Sequence, residues 1–268
     1  MAKHGNGMKK WNACRNGGRM LEVKNVSYKI GKKQIINDVS LLVKDHEFVG
    51  IIGPNGSGKS TLLKTIYKML PPSSGDILFN GQSLLNMKNK TMARSLAVVA
   101  QENGANFDFL VEEVIQMGRY PQKKMLENAN DTDKAIVLHS LRMVGMEHVL
   151  GRSFLSLSGG EKQRIFIARA LAQQTDMILL DEPTNHLDIG SQMKTLQLLK
   201  QSKKTILTAL HDLGLAARFC DRIYVMYQGR IYAQGTPREV ITPELVRTLY
   251  HLDAEIFDRG GNLCIDYL

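Results

Sequence analysis

The run GPNGSGKS, Gly53 to Ser60, carries residue types at a spacing that can grip a phosphate chain. Gly56 and Gly58 let backbone N–H groups close around phosphate oxygens, with Gly53, Asn55, Ser57 and Thr61 completing the loop's nucleotide contacts. Lys59 would reach β- and γ-phosphates, and the Ser60 hydroxyl would ligate Mg²⁺. An apolar-periodic stretch follows at once, so the loop should open a helix whose positive end points at the anion. Further on, MILLDEP ends an apolar run in Asp181 and Glu182. A carboxylate at the carboxyl end of a parallel strand faces the ligand crevice, so Asp181 is placed to hold Mg²⁺ through water and Glu182 to polarise an attacking water. Alone, the pair would read as an acidic turn before Pro183; the phosphate loop tips the balance.

Other positions leave two readings open. His211 follows the apolar TILTAL, where a histidine is either structural or aimed into the same crevice. Gln101, after SLAVVA, can bridge metal or water or simply end a strand in a polar residue. Tyr28 can stack on a base or pack a sheet. LSLSGGEKQR, from Leu155, places a hydroxyl, two glycines and a glutamate ahead of a helix, which makes a second anion-gripping helix start in a chain that already has one.

The elements that would position these residues follow from periodicity. LEVKNVSYKI, a turn at Gly31, QIINDVSLLVK and EFVGII read as strands. The phosphate-loop helix is expected to run until just before Pro71. SLAVVA, DMILLDE and KTILTAL are short and unalternating, as parallel strands covered on both faces are. Residues 111–145 read as mostly helical. The expected class is α/β: a P-loop core with a mostly parallel sheet, an N-terminal antiparallel β layer and a helical insertion over roughly 102–165. Residues 1–19 read as a flexible basic leader dispensable for the chemistry, 20–255 as the main domain and 256–268 as a C-terminal tail.

Composition narrows the class. The net charge of +9 includes five basic residues and no acid within 1–19, leaving 30 basic against 26 acidic residues, +4, for the rest. That distribution argues against a nucleic-acid partner. Three isolated cysteines point to a reducing compartment rather than a disulfide or zinc framework. No apolar run approaches the roughly 20 residues of a membrane span.

Taken in order, these motifs resemble the ATPase subunits of ABC transporters from about residue 20 onward. The resemblance implies that GPNGSGKST is the Walker A motif, MILLDEP the Walker B strand with Glu182 as catalytic base, and LSGGE, Leu157–Glu161, the signature motif. It implies that Gln101 is the Q-loop residue, Asn185–Asp188 the D-loop, His211 the switch histidine and Tyr28 the adenine-stacking aromatic. Such ATPases bind ATP and Mg²⁺ and dimerise head to tail. Ser158, Gly159, Gly160 and Glu161 of one copy would then face the ATP of the other, and the second anion grip would serve the partner. VEEVIQMGRYP, TNHLD, HDLGLAARFCDRI and GTPREVITPELV resemble the type II importer ATPases for iron–siderophore, haem and cobalamin. That implies membrane permease subunits, an indirectly coupled solute-binding protein and a peripheral place on the cytoplasmic face of the membrane. An exporter ATPase shares the catalytic motifs. Ribosome-associated members usually carry two cassettes and chromosome-maintenance members a long coiled coil, and neither pattern is present.

Overall fold

The computed structural model describes residues 18–100, 108–124, 130–185 and 187–268. Gln101 and the leader up to residue 17 lie outside the described residues. Strands β1 (Arg19–Ile30) and β2 (Lys33–Lys44) form a long antiparallel pair, and β3 (Phe48–Ile52) leads into the phosphate loop and helix α1 (Lys59–Ile66). Strands β4 (Ser74–Phe79) and β5 (Gln82–Ser83) complete a four-stranded antiparallel sheet in the order β2-β1-β4-β5. After α2 (Asn89–Ala93) and β6 (Leu96–Val99) the chain turns helical, with α3 (Val111–Gln116), α4 (Asp131–Met143) and α5 (Gly159–Ala172).

The core alternates again from there: β7 (Met177–Asp181), α6 (Ile189–Gln201), β8 (Thr205–Ala209), α7 (Leu213–Phe219) and β9 (Arg222–Tyr227). Strand β10 (Arg230–Gly235), the short α8 (Pro237–Val240) and α9 (Pro243–Tyr250) follow, and β11 (Ala254–Arg259) pairs with β12 (Asn262–Tyr267) as a hairpin. The residues set apart as a tail thus form most of this hairpin, with Ile256, Leu263 and Ile265 against the core.

The central sheet has the order β10-β9-β3-β8-β7-β6, parallel except where β10 pairs with β9. Its inner strands are buried on both faces. In β7, Met177 and Leu179 face the core shared with the antiparallel layer and α1, while Ile178 and Leu180 face the core shared with α5, α6 and α7. Strand periodicity sends alternate side chains to opposite faces, and with both faces covered an alternating polar pattern has no place. Tyr224 pins the layers together: its hydroxyl accepts from Leu42 N and donates to Leu42 O.

Helix α1 stops sooner than the prolines suggest. Lys68 adopts φ 65, its N–H bonds Thr65 O, and Met69 N–H reaches Lys64 O. These two bonds close the last turn as a Schellman motif. The helical region is also interrupted, since residues 117–122 tighten into a 3₁₀ turn containing Pro121.

Candidate functional site

In the sheet order, β8 lies between β3 and β7, so the carboxyl ends of three adjacent strands deliver the phosphate loop, Asp181–Glu182 and His211 to one edge. In open α/β sheets ligands bind at that edge. The loop's shape depends on glycine. Gly53 has φ 144, and a Cβ there would stand 2.1 Å from Met226 O; Gly58, the N-cap of α1, has φ 106. No other residue type fits both the space and the backbone.

Lys59 is buried, at 4% exposure, and its ammonium donates to Gly53 O at 2.8 Å and Pro54 O at 3.1 Å. Burial lowers its pKa, while Glu182 and Asp181 act in the opposite sense. Ser60 Oγ donates to Asp181 Oδ1 at 2.8 Å. Burial raises the Asp181 carboxyl pKa, against the Ser60 hydrogen bond that favours its charged form. Its other oxygen, Oδ2, is buried without a partner among the described residues, as is Ser57 Oγ.

An orphaned carboxylate oxygen beside a hydroxyl is a donor set for a hard divalent cation, and the buried lysine and positive-φ loop suit a phosphate chain. Among the described residues no cluster of three or more His, Cys, Asp or Glu could hold a metal.

Glu182 adopts φ 54, in the left-handed region disfavoured for a side chain of its size. Both carboxylate oxygens are engaged: His211 Nε2 hydrogen-bonds Oε1, and Asn185 Nδ2 donates to Oε2. A carboxylate only accepts, which assigns the Nε2 proton to His211. Sequence reasoning had Asn185 only as part of the NHLD string. The signal available was its place three residues beyond Glu182, within reach in a tight turn, and Asn185 N–H does bond Glu182 O.

The second helix start lies at the other end of α5. Ser158 caps it in a reciprocal box: its Oγ accepts from Glu161 N, and its N–H donates to Glu161 Oε2 at 2.8 Å. These bonds from Ser158 lower the Glu161 pKa. Ser158 and Gly159 are exposed, and a Cβ at Gly159 would meet nothing within 4 Å. A Cβ at Gly160 would stand 3.1 Å from Leu187, so the starts of α5 and α6 are neighbours. Asp188 caps α6 by accepting from Ser191 N and Ser191 Oγ, which lowers its pKa. Tyr28 is half-buried and packs on the antiparallel layer. Thr61 and Asn55 lie in or beside the loop, half-buried and exposed respectively.

The ABC transporter family profile matches residues 36–185. The chain is 40% identical over 257 residues to the hemin import ATP-binding protein HmuV of Pseudomonas fluorescens, covering 92% of this chain and 99% of that protein. It is 37% identical to the cobalamin import ATP-binding protein BtuD of Halobacterium salinarum, covering 86% of this chain but spanning only 58% of that relative. A solved dimeric, post-hydrolysis structure of the ATP-binding cassette MJ0796 with ADP and Pi superposes with a TM-score of 0.72 at 30% identity, over 82% of this chain and 99% of that one. Phosphate loop, acidic pair, family profile and matching fold agree, and the chain belongs to the ABC transporter family as one of its ATP-hydrolysing cassettes.

Proposed function

We propose that this chain is the ATPase subunit of an importer, working as a head-to-tail pair of copies beneath membrane permease subunits, with an iron–siderophore, haem or cobalamin as the solute class. The observation that carries the reading is the division of the site. Lys59, Ser60, Asp181, Glu182 and His211 gather at one sheet edge, while Ser158 and Gly159, at the start of α5, are exposed. The pairing of two copies draws on the dimeric cassette structure and its head-to-tail sense on the family resemblance, while the solute class draws on relatives that are siderophore, haem and cobalamin import ATP-binding proteins.

In this reading Lys59 and the loop amides hold the β- and γ-phosphates, and Ser60 and Asp181, with Gln101, hold Mg²⁺. When bound, Mg²⁺ neutralises phosphate charge. Tyr28 stacks on the adenine. Glu182 orients the attacking water, held in place by Asn185 and His211 on its two oxygens. Ser158, Gly159, Gly160, Glu161 and Asp188 meet the partner copy's nucleotide. The groove lined by Phe109, Met117, Tyr120, Val137, Leu138 and Leu150 in the helical region gives a permease an apolar surface to grip. No helix among the described residues is long and apolar enough to cross a membrane, so attachment to the cytoplasmic face would come through that permease; a solute-binding protein would be met only indirectly.

Co-purification from detergent-solubilised membranes tests this. A polytopic permease should accompany the tagged chain and stimulate its phosphate release. A chain that hydrolyses ATP yet brings no permease would overturn the importer reading while leaving the ATPase intact.

A further inference from the structure

Away from the sheet edge, a cleft of about 540 Å³ opens between α6, α5 and the end of α4. Its polar lining includes Arg164, Lys194 and Thr195, and among the described residues no Asp or Glu lines it. Thr195 is only 5% exposed, and its Oγ1 is buried with no hydrogen-bond partner among the described residues. Arg164 Nε is buried and unpartnered in the same way. The acid whose pKa feels Arg164 is Glu161, one turn earlier on α5, and its carboxylate is already engaged by Ser158. Leaving a buried donor unsatisfied costs about 1–3 kcal/mol. Two such donors in one cleft, beside a lysine and without a facing acid, make a site whose missing element is an acceptor-rich anion. Met143, Ile167 and Leu198 supply an apolar wall. The volume is that of a small-molecule site.

We propose that this cleft binds a small organic anion, its carboxylate or phosphate taken by Arg164, Thr195 and Lys194 and its apolar body lying against Met143, Ile167 and Leu198. Both donors are sealed from the cleft in this conformation; rotation of the Arg164 and Thr195 side chains brings Arg164 Nε–H and the Thr195 hydroxyl onto the anion's oxygens, and Lys194 adds charge. The ligand bridges α5 and α6, whose first turns carry Ser158 and Asp188. This site stands apart from the ATP reading, because none of its contacts uses the sheet edge.

The test uses the full chain, methyl-labelled and saturated with ADP so that the phosphate loop does not take the probe. Phenyl phosphate is titrated while the Met143, Ile167 and Leu198 methyl signals are followed, with inorganic phosphate as the second arm. The expected result is saturable shifts at these methyls, with phenyl phosphate binding more tightly than inorganic phosphate. Lys194→Gln and the isosteric Thr195→Val should each weaken binding about tenfold, the worth of one charge-assisted hydrogen bond. The methyl spectra report at the same time that both variants are folded. Absence of saturable shifts, or unchanged affinity in both folded variants, overturns the site. Equal affinity for the two probes overturns the organic-anion class.

Discussion

Lys59 acts from inside its loop, with two carbonyls orienting its ammonium; burial lowers its pKa, and Glu182 and Asp181 oppose that only in part. Alanine there removes the loop's own cation, so Lys59→Ala should abolish phosphate release; near-normal turnover would sink the assignment of the loop. Glu182→Gln tests a different function. The amide keeps the shape but cannot act as a base, and its NH₂ faces a donor where the carboxylate accepted from both Asn185 and His211, so kcat should fall by about 10²–10⁴-fold while ATP binding persists. Sizing chromatography of that variant with ATP should show a dimer. A persistent monomer would count heavily against a site shared between copies.

The helical region is fastened by a buried charge cluster rather than by apolar packing alone. Asp133, near the start of α4, accepts from Arg119 Nε at 3.0 Å and Lys123 Nζ at 2.9 Å, and Arg119 also donates to Ala172 O at the end of α5. Burial by itself would raise the Asp133 pKa, but the hydrogen bonds from Lys123, Arg119 and the Asn130 backbone outweigh it and hold it at about 2. The folded pKa lies below the ordinary carboxylate value near 4, so this contribution is complete above about pH 4 and is lost as the pH falls through 2. Asp133→Asn leaves two buried cations without their counter-charge and should cost about 3 kcal/mol in urea unfolding at pH 7. Its stability should also fall less steeply than wild type from pH 4 to 3. A variant with wild-type pH dependence would show that the cluster does not carry this acid sensitivity.

If each site takes its phosphate loop from one copy and its signature from the other, two dead variants can rescue one another. Lys59→Ala damages the loop, and Ser158→Arg blocks the exposed start of α5. Each homodimer has two damaged sites, but in a mixed dimer both lesions fall in one site and the other is whole. Random pairing at equal amounts should restore at most about a quarter of wild-type phosphate release for independent sites. The subunits are best exchanged on a permease. No recovery, in mixed dimers shown to bind ATP at the intact site, would argue that the signature acts within its own chain. Arg19, at the end of the expected leader 1–19, instead opens β1; deleting residues 1–17 should leave turnover unchanged, and a large loss would give that segment a role.

Local chemistry made much of this protein legible from its residues. A phosphate loop is a short contiguous run whose glycines, lysine and serine are needed in that order, and two-face burial leaves its mark on β3, β7 and β8 as unbroken apolar runs. The class of fold and the antiparallel layer followed from those periods. Strand order did not, because nothing in the chain states that β8 lies between β3 and β7, and that order brings His211 to Glu182. Asn185 became a partner of Glu182 only once the turn after β7 was folded. The prolines set only an outer limit for α1: a left-handed Lys68 closes it before they can, and a non-glycine residue gives no warning of that conformation. The Arg164–Thr195 cleft and the Arg119–Ala172 bond that ties the Asp133 cluster to α5 join residues far apart in the chain, and such long-range contacts are set by packing, which periodicity does not encode.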